Sequence, residues 1–163
     1  MDDFVEKKKK LLNSLFFEAG AALMDCQFFE YSIAFFLFHL SRLGTKGFNI
    51  DKAISILDNE DKKTTGQLIR LMKKHLKVSD EIDKVLEEAL SARNYIIHCA
   101  LSDNVESFLH KETRDDLIRK IRKLRRNVQK GIYKLDPFIT ELSKNLDGID
   151  FKEFKEELNK NFY

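Results

Sequence analysis

The stretch Ser91-Ala92-Arg93-Asn94-Tyr95-Ile96-Ile97-His98 gathers a cation, an amide and an imidazole within six residues. These are the group types with which proteins hold anions and move protons near neutral pH. The surrounding pattern predicts a helix, with Ser79 as its N-cap and Asp80 and Glu81 at its positive end, running through Val85, Leu86, Ala89 and Leu90 to about Cys99. On a helical wheel Leu86, Leu90 and Ile97 share one side, and Arg93 falls inside that apolar stripe. A guanidinium placed there must meet a partner or face a cleft, because burying it alone is expensive. Asn94 and His98 are one turn apart and flank the stripe together. Spacing alone leaves a structural alternative open: Arg93 paired with an acid, Glu30 being the obvious candidate, and His98 satisfying a carbonyl near the helix end.

The elements that must position this helix are themselves helical. Apolar spacing predicts a first helix from about Asp3 to Met24, with Leu11, Leu15, Ala19 and Ala22 on one face. A second, from about Gln27 to Leu43, is apolar nearly all round, as a central buried helix would be, and stops before Gly44 and Gly47. A short helix over Ile50 to Leu57 and a polar loop from Asp58 to Lys63 follow, and then Thr64 or Thr65 caps a helix to about Leu76. Beyond the Arg93–His98 helix, Ser102 to Ser107 reads as a loop. Lys111 to Leu135 reads as a long helix with the seam Leu117, Ile121, Leu124, Val128, Ile132 and Leu135. Asp136-Pro137 marks a break, from which Pro137 could start a further stretch to Leu146. Asp150 with Glu153 resembles a capping box for a last short helix carrying Phe154, Leu158 and Phe162. The expected architecture is an all-α, up-and-down helical bundle over residues 1–146, with a C-terminal helical appendage over 147–163.

The Arg93-Asn94-Tyr95-Ile96-Ile97-His98 run resembles the Arg, polar residue, three residues, His signature of the HEPN superfamily. The stretch from Thr65-Gly66-Gln67-Leu68 through Leu86 and Ala89-Leu90 is similar to what precedes that motif in bacterial HEPN-like proteins, and the long amphipathic helix after it also fits. The likeness covers roughly Gln27 to Leu135. It implies a HEPN-type bundle, a homodimer whose two motifs face each other, and metal-independent endoribonuclease activity of the toxin or antiviral-defence type. Arg93 would then stabilise charge on the phosphate, His98 would transfer a proton as a ribose 2′-hydroxyl attacks, and Asn94 would orient either group. Products would carry 2′,3′-cyclic phosphate and 5′-hydroxyl ends. The partners implied are RNA and an antitoxin or regulatory protein, with no cofactor. Some HEPN proteins paired with nucleotidyltransferases carry a Tyr two residues after the His; Ala100 stands there in this chain, which argues against that modification. A non-catalytic HEPN module that binds RNA, nucleotides or a partner protein is the alternative. Arg93 and His98 are five residues apart, about 140° on an ideal helix, so a dimer or a bend near His98 is needed to bring both to one phosphate.

The other residues carry less. Glu30 is a candidate site support, with a buried structural pair as the alternative. His39 reads as a core histidine, and His75 and His110 as surface residues near helix ends. No spacing suggests zinc, a glycine-rich phosphate loop or a nucleophilic triad. The chain carries a net charge of +2, so no global field points to nucleic acid, yet Lys111 to Lys134 holds ten Lys or Arg against three acids. Arg119, Arg122, Lys123, Arg126 and Lys130 lie opposite the apolar seam, where they could guide an RNA backbone or simply keep the helix solvated. Cys26 and Cys99 form no disulfide framework and suit a reducing compartment. Lys7 to Lys10 before Leu11, Leu12, Leu15, Phe16 and Phe17 imitates a secretion leader, but Asn13, Glu18 and Asp25 interrupt it. The most apolar run, Phe28 to Leu40, is too short to span a bilayer and carries Glu30 and His39. A cytoplasmic protein is therefore expected.

Overall fold

The computed structural model describes residues 2–43, 49–57 and 63–147, and among them every regular element is helical. The elements are α1 (Asp2–Arg42), α2 (Ile50–Leu57), α3 (Thr65–His75), α4 (Asp80–His98), a 3₁₀ segment (Ser102–Phe108) and α5 (Lys111–Asp147). Most of the polar loop after α2, and the last helix expected from Asp150, lie outside the described residues.

Three boundaries differ from the expectation. The first two helices are one, because nothing between Met24 and Gln27 stops the backbone. Asp25, the residue most able to compete with it, spends its carboxylate on Arg125 and Gln129 instead. This helix is also not buried all round. Its core face runs Leu15, Ala19, Ala22, Cys26, Phe29, Ile33, Leu37 and Leu40 at spacings of three and four, while Phe28 and Tyr31 are more than half exposed. Likewise α5 continues through Pro137. The bond that proline cannot make would go to the carbonyl of Tyr133, an exposed residue where water can take the donor's place. The segment after α4, expected as a loop, forms 3₁₀ turns kinked at Asn104.

Two caps follow the sequence closely. Thr64 Oγ1 accepts from the Gln67 amide and Gln67 Oε1 accepts from the Thr64 amide, a reciprocal capping box at the start of α3. Ser79 Oγ accepts from the Ile82 amide at the start of α4, at 3.4 Å.

The chain resolves into two compact units. One takes α1 up to Phe29 with the chain from Asp83 to Gly131; the other takes Glu30 to Ile82 and the chain from Ile132 on. In the first, Leu15, Ala22, Phe29, Leu86, Ala89, Ile121 and Val128 are fully buried. In the second, Ile33, Leu37, Leu68, Ile69 and Met72 fill the core around His39, which is 1% exposed with Nε2 3.0 Å from Ser143 Oγ.

Candidate active site

Helix α4 turns its alanines inward. Its buried line is Leu86, Ala89, Ala92 and Ile96, not the Leu86–Leu90–Ile97 stripe expected from the wheel. The cause lies in α5, where Gly131 has no side chain: a Cβ built there would stand 2.7 Å from Ala89 Cβ. Small residues thus let the two helices approach, and α4 rolls so that Ala89 meets Gly131. Leu90 is left half-buried and Ile97 36% exposed. Arg93 consequently sits half-buried at the edge of the core, while Asn94 and His98 are exposed.

Arg93 and Asn94 are joined, with Arg93 Nη1 donating to Asn94 Oδ1 at 3.3 Å. His98 is the last residue of α4. The amides of Cys99 and Ala100 both turn back to the Tyr95 carbonyl, and Ser102 Oγ donates to the His98 carbonyl at 2.8 Å. The backbone under His98 is therefore held while its imidazole faces solvent. Just beyond lies a polar pocket of about 400 Å³, lined in part by Ser102, Asp103, Asn104, Asp116 and Lys120.

Tyr95 ties this region to α5. Its hydroxyl accepts from Lys120 Nζ at 2.6 Å and from Asn104 Nδ2 at 3.1 Å, and the ammonium stands 3.9 Å from the ring centre. Neither Tyr95 nor Lys120 stood out in the sequence; the signal was a basic residue on α5 beyond those assigned to its outer face. Next to them, burial pushes the Cys99 thiol pKa up, Asp103 adds to the rise, and Lys120 opposes it.

The basic face of α5 divides. All five expected cations are exposed. Arg119, however, pairs with Asp116 on its own helix, and Arg122 is bound to Glu18 of α1, which is 7% exposed. That bond holds the Arg122 pKa above its usual value. Arg125, absent from the expected set, bonds Asp25 at 2.6 Å. Glu18 and Asp25, seven apart and the charged residues of the stretch from Leu11 to Cys26, were the sequence's mark for these pairs. Lys123, Arg126 and Lys130 remain as the outward cations.

Glu30 is half-buried and accepts from Thr65 Oγ1 at 2.6 Å, fastening α1 to α3 within the second unit. His75 ends α3, and His110 is exposed ahead of α5. Among the described residues no three His, Cys, Asp or Glu side chains stand together as a metal site. Cys26 is buried and Cys99 half-buried, and neither is in a disulfide. One stretch, Leu12–Arg42, is long and apolar enough to cross a membrane by length and composition alone, a test that the core helix of a soluble protein also passes; 39% of its most apolar window is buried inside the protein.

Compared with family models, with curated proteins and with solved structures, the chain matches none.

Proposed function

We propose that this chain is a HEPN-type, metal-independent endoribonuclease acting on RNA in the cytoplasm, in a toxin or antiviral-defence role. The observation that carries the reading is the end of α4, where Arg93 is bonded to Asn94 and the exposed imidazole of His98 follows one turn after Asn94. In the reaction a ribose 2′-oxygen attacks the adjacent phosphorus, His98 accepts the hydroxyl proton, and the bond to the 5′-oxygen breaks. That oxygen leaves as a 5′-hydroxyl after taking up a proton, and the other fragment keeps a 2′,3′-cyclic phosphate. Arg93 stabilises the charge growing on the phosphoryl oxygens, and Asn94 fixes the guanidinium. Lys123, Arg126 and Lys130 would lie along the RNA backbone. A homodimer and a restraining antitoxin or regulatory protein belong to the same reading.

One observation favours a second reading, a non-catalytic HEPN module that binds RNA or a partner. Arg93 and His98 lie on one uninterrupted helix, about 140° apart around its axis. The test is cleavage of mixed cellular RNA in EDTA by the native protein, His98→Ala and Arg93→Ala. Cutting by the native protein alone, with 2′,3′-cyclic phosphate ends, is expected. Binding without cutting by any of the three would establish the second reading instead.

A further inference from the structure

In the second unit three helices leave a gap that none of them fills. Helix α3 ends at His75, and the chain leaves it extended at Leu76 and forms no helix again until Asp80. This open link is narrower than a helix, and beside it lies a cavity of about 450 Å³. Phe36 and Leu40 of α1, Met72 of α3 and Leu135 of α5 are buried and form its floor. Leu43 and Phe138, 54% and 48% exposed, stand at its mouth. All of these residues belong to the second unit.

Among the described residues that line the cavity, the polar ones are Lys77, Ser79 and Glu141. Two of them have donors to spare. Ser79 Oγ accepts from the Ile82 amide, which leaves its own hydroxyl proton to donate. The Lys77 side chain is exposed, and no described residue bonds or pairs with its ammonium. Glu141, by contrast, already accepts from Asn145 Nδ2 at 2.9 Å.

These facts select the size, polarity and sign of an occupant. An apolar cavity of ~150 Å³ holds one benzene, so a volume three times larger takes roughly fifteen to twenty non-hydrogen atoms. A helix 10 Å across fills about 400 Å³ per turn, so a docking helix would place a single turn inside. Apolar walls with a few polar groups, set between the helices of a bundle, are where small organic ligands bind. The unspent groups both donate, so the polar end of the ligand is an acceptor, and opposite an ammonium the strong acceptor is an anion. A carboxylate has an oxygen for Lys77 and another for Ser79, which line the same cavity two residues apart.

We propose that this cavity binds a small amphiphile with one carboxylate on an apolar body, of the medium-chain fatty acid class. Its apolar chain lies on Met72 and Leu135, and its carboxylate meets Lys77 and Ser79. The cavity is built without Arg93, Asn94 or His98, which belong to the first unit, so its ligand is independent of whether they cleave RNA.

Isothermal titration calorimetry of the full chain with dodecanoate tests it. One dodecanoate should bind per chain, and Lys77→Met, at an exposed position with no bond to lose, should weaken binding about tenfold. Dodecylamine, with the same chain and the opposite charge, should bind the native protein at least about tenfold more weakly than dodecanoate does. Val78→Phe, on the half-buried wall, should fill the cavity and abolish binding. The Lys77 variant and the amine hold the proposal to account even where that larger side chain disturbs the fold. No saturable binding by the native protein, equal affinity for dodecylamine, an affinity that Lys77→Met leaves unchanged, or a folded Val78→Phe variant that still binds would each overturn it.

Discussion

Glu18 and Arg122 meet across 104 residues of sequence, with Arg122 Nε donating to Glu18 Oε1 at 2.8 Å. The pair is lopsided: the carboxylate side chain is 10% exposed and the guanidinium 56%. Losing the cation would leave a sequestered charge whose remaining guanidinium, Arg125, stands at 3.9 Å, whereas losing the carboxylate frees a cation that water already reaches. Arg122→Ala should therefore lower the urea unfolding midpoint more than Glu18→Leu does. Equal shifts would show that the pair is only a surface contact.

The same division of cations sets the salt dependence of RNA binding. Replacing Lys123, Arg126 or Lys130 by Gln should reduce the slope of log affinity against log salt by about 1 each. Arg119→Gln and Arg122→Gln should leave that slope nearly unchanged, since Asp116 and Glu18 already hold those groups. A fluorescence-anisotropy titration at four salt concentrations reads both outcomes.

Gly131 is fixed by packing and not by backbone conformation. A Cβ there would stand 2.7 Å from both Ala89 Cβ and Phe29 Cε2. Gly131→Ala should destabilise by about 1–3 kcal/mol through overpacking, partly offset by roughly 1 kcal/mol of helix propensity. Adding Ala89→Gly should relieve one of the two clashes and restore part of the loss, as a double-mutant cycle of chemical denaturation would measure.

Cys99 offers a check on local electrostatics. Its thiol pKa is raised, first by burial and then by Asp103, so the reactive thiolate is scarce at neutral pH and its alkylation should start at higher pH than that of free cysteine. Asp103→Asn should speed iodoacetamide labelling and Lys120→Met should slow it, because one removes a group that raises the pKa and the other a group that lowers it. Mass spectrometry separates this signal from Cys26, which is 1% exposed.

Local signals were the legible ones. Thr64 with Gln67, Ser79 and the seam of α5 lie where residue type and spacing put them, because caps and periodicity act within a few residues. What escaped depended on partners far along the chain. Leu90 and Ile97 look like core on a wheel and are displaced by Ala89 and Ala92, a choice made by Gly131 on another helix. The first helix reads as ending at about Met24, while Arg125 and Gln129 occupy the Asp25 carboxylate and the helix runs on. At the site, the exposure of Asn94 and His98 follows from the sequence once α4 is rolled correctly. The bond from Lys120 to Tyr95 does not, since neither residue type at those positions distinguishes a contact from a solvated side chain.

The clasp of Lys120 and Asn104 on Tyr95 also gives the molecule a built-in optical reporter. The chain has no tryptophan and only four tyrosines, so its ultraviolet emission comes from very few rings. Tyr95 shares a helix with Arg93 and His98, and an ammonium beside its hydroxyl and over its ring makes its absorption and quantum yield responsive to where that ammonium sits. A polyanion that draws Lys120 away would change the signal of this ring, so occupancy beside α4 could be followed by the protein's own light, without a label.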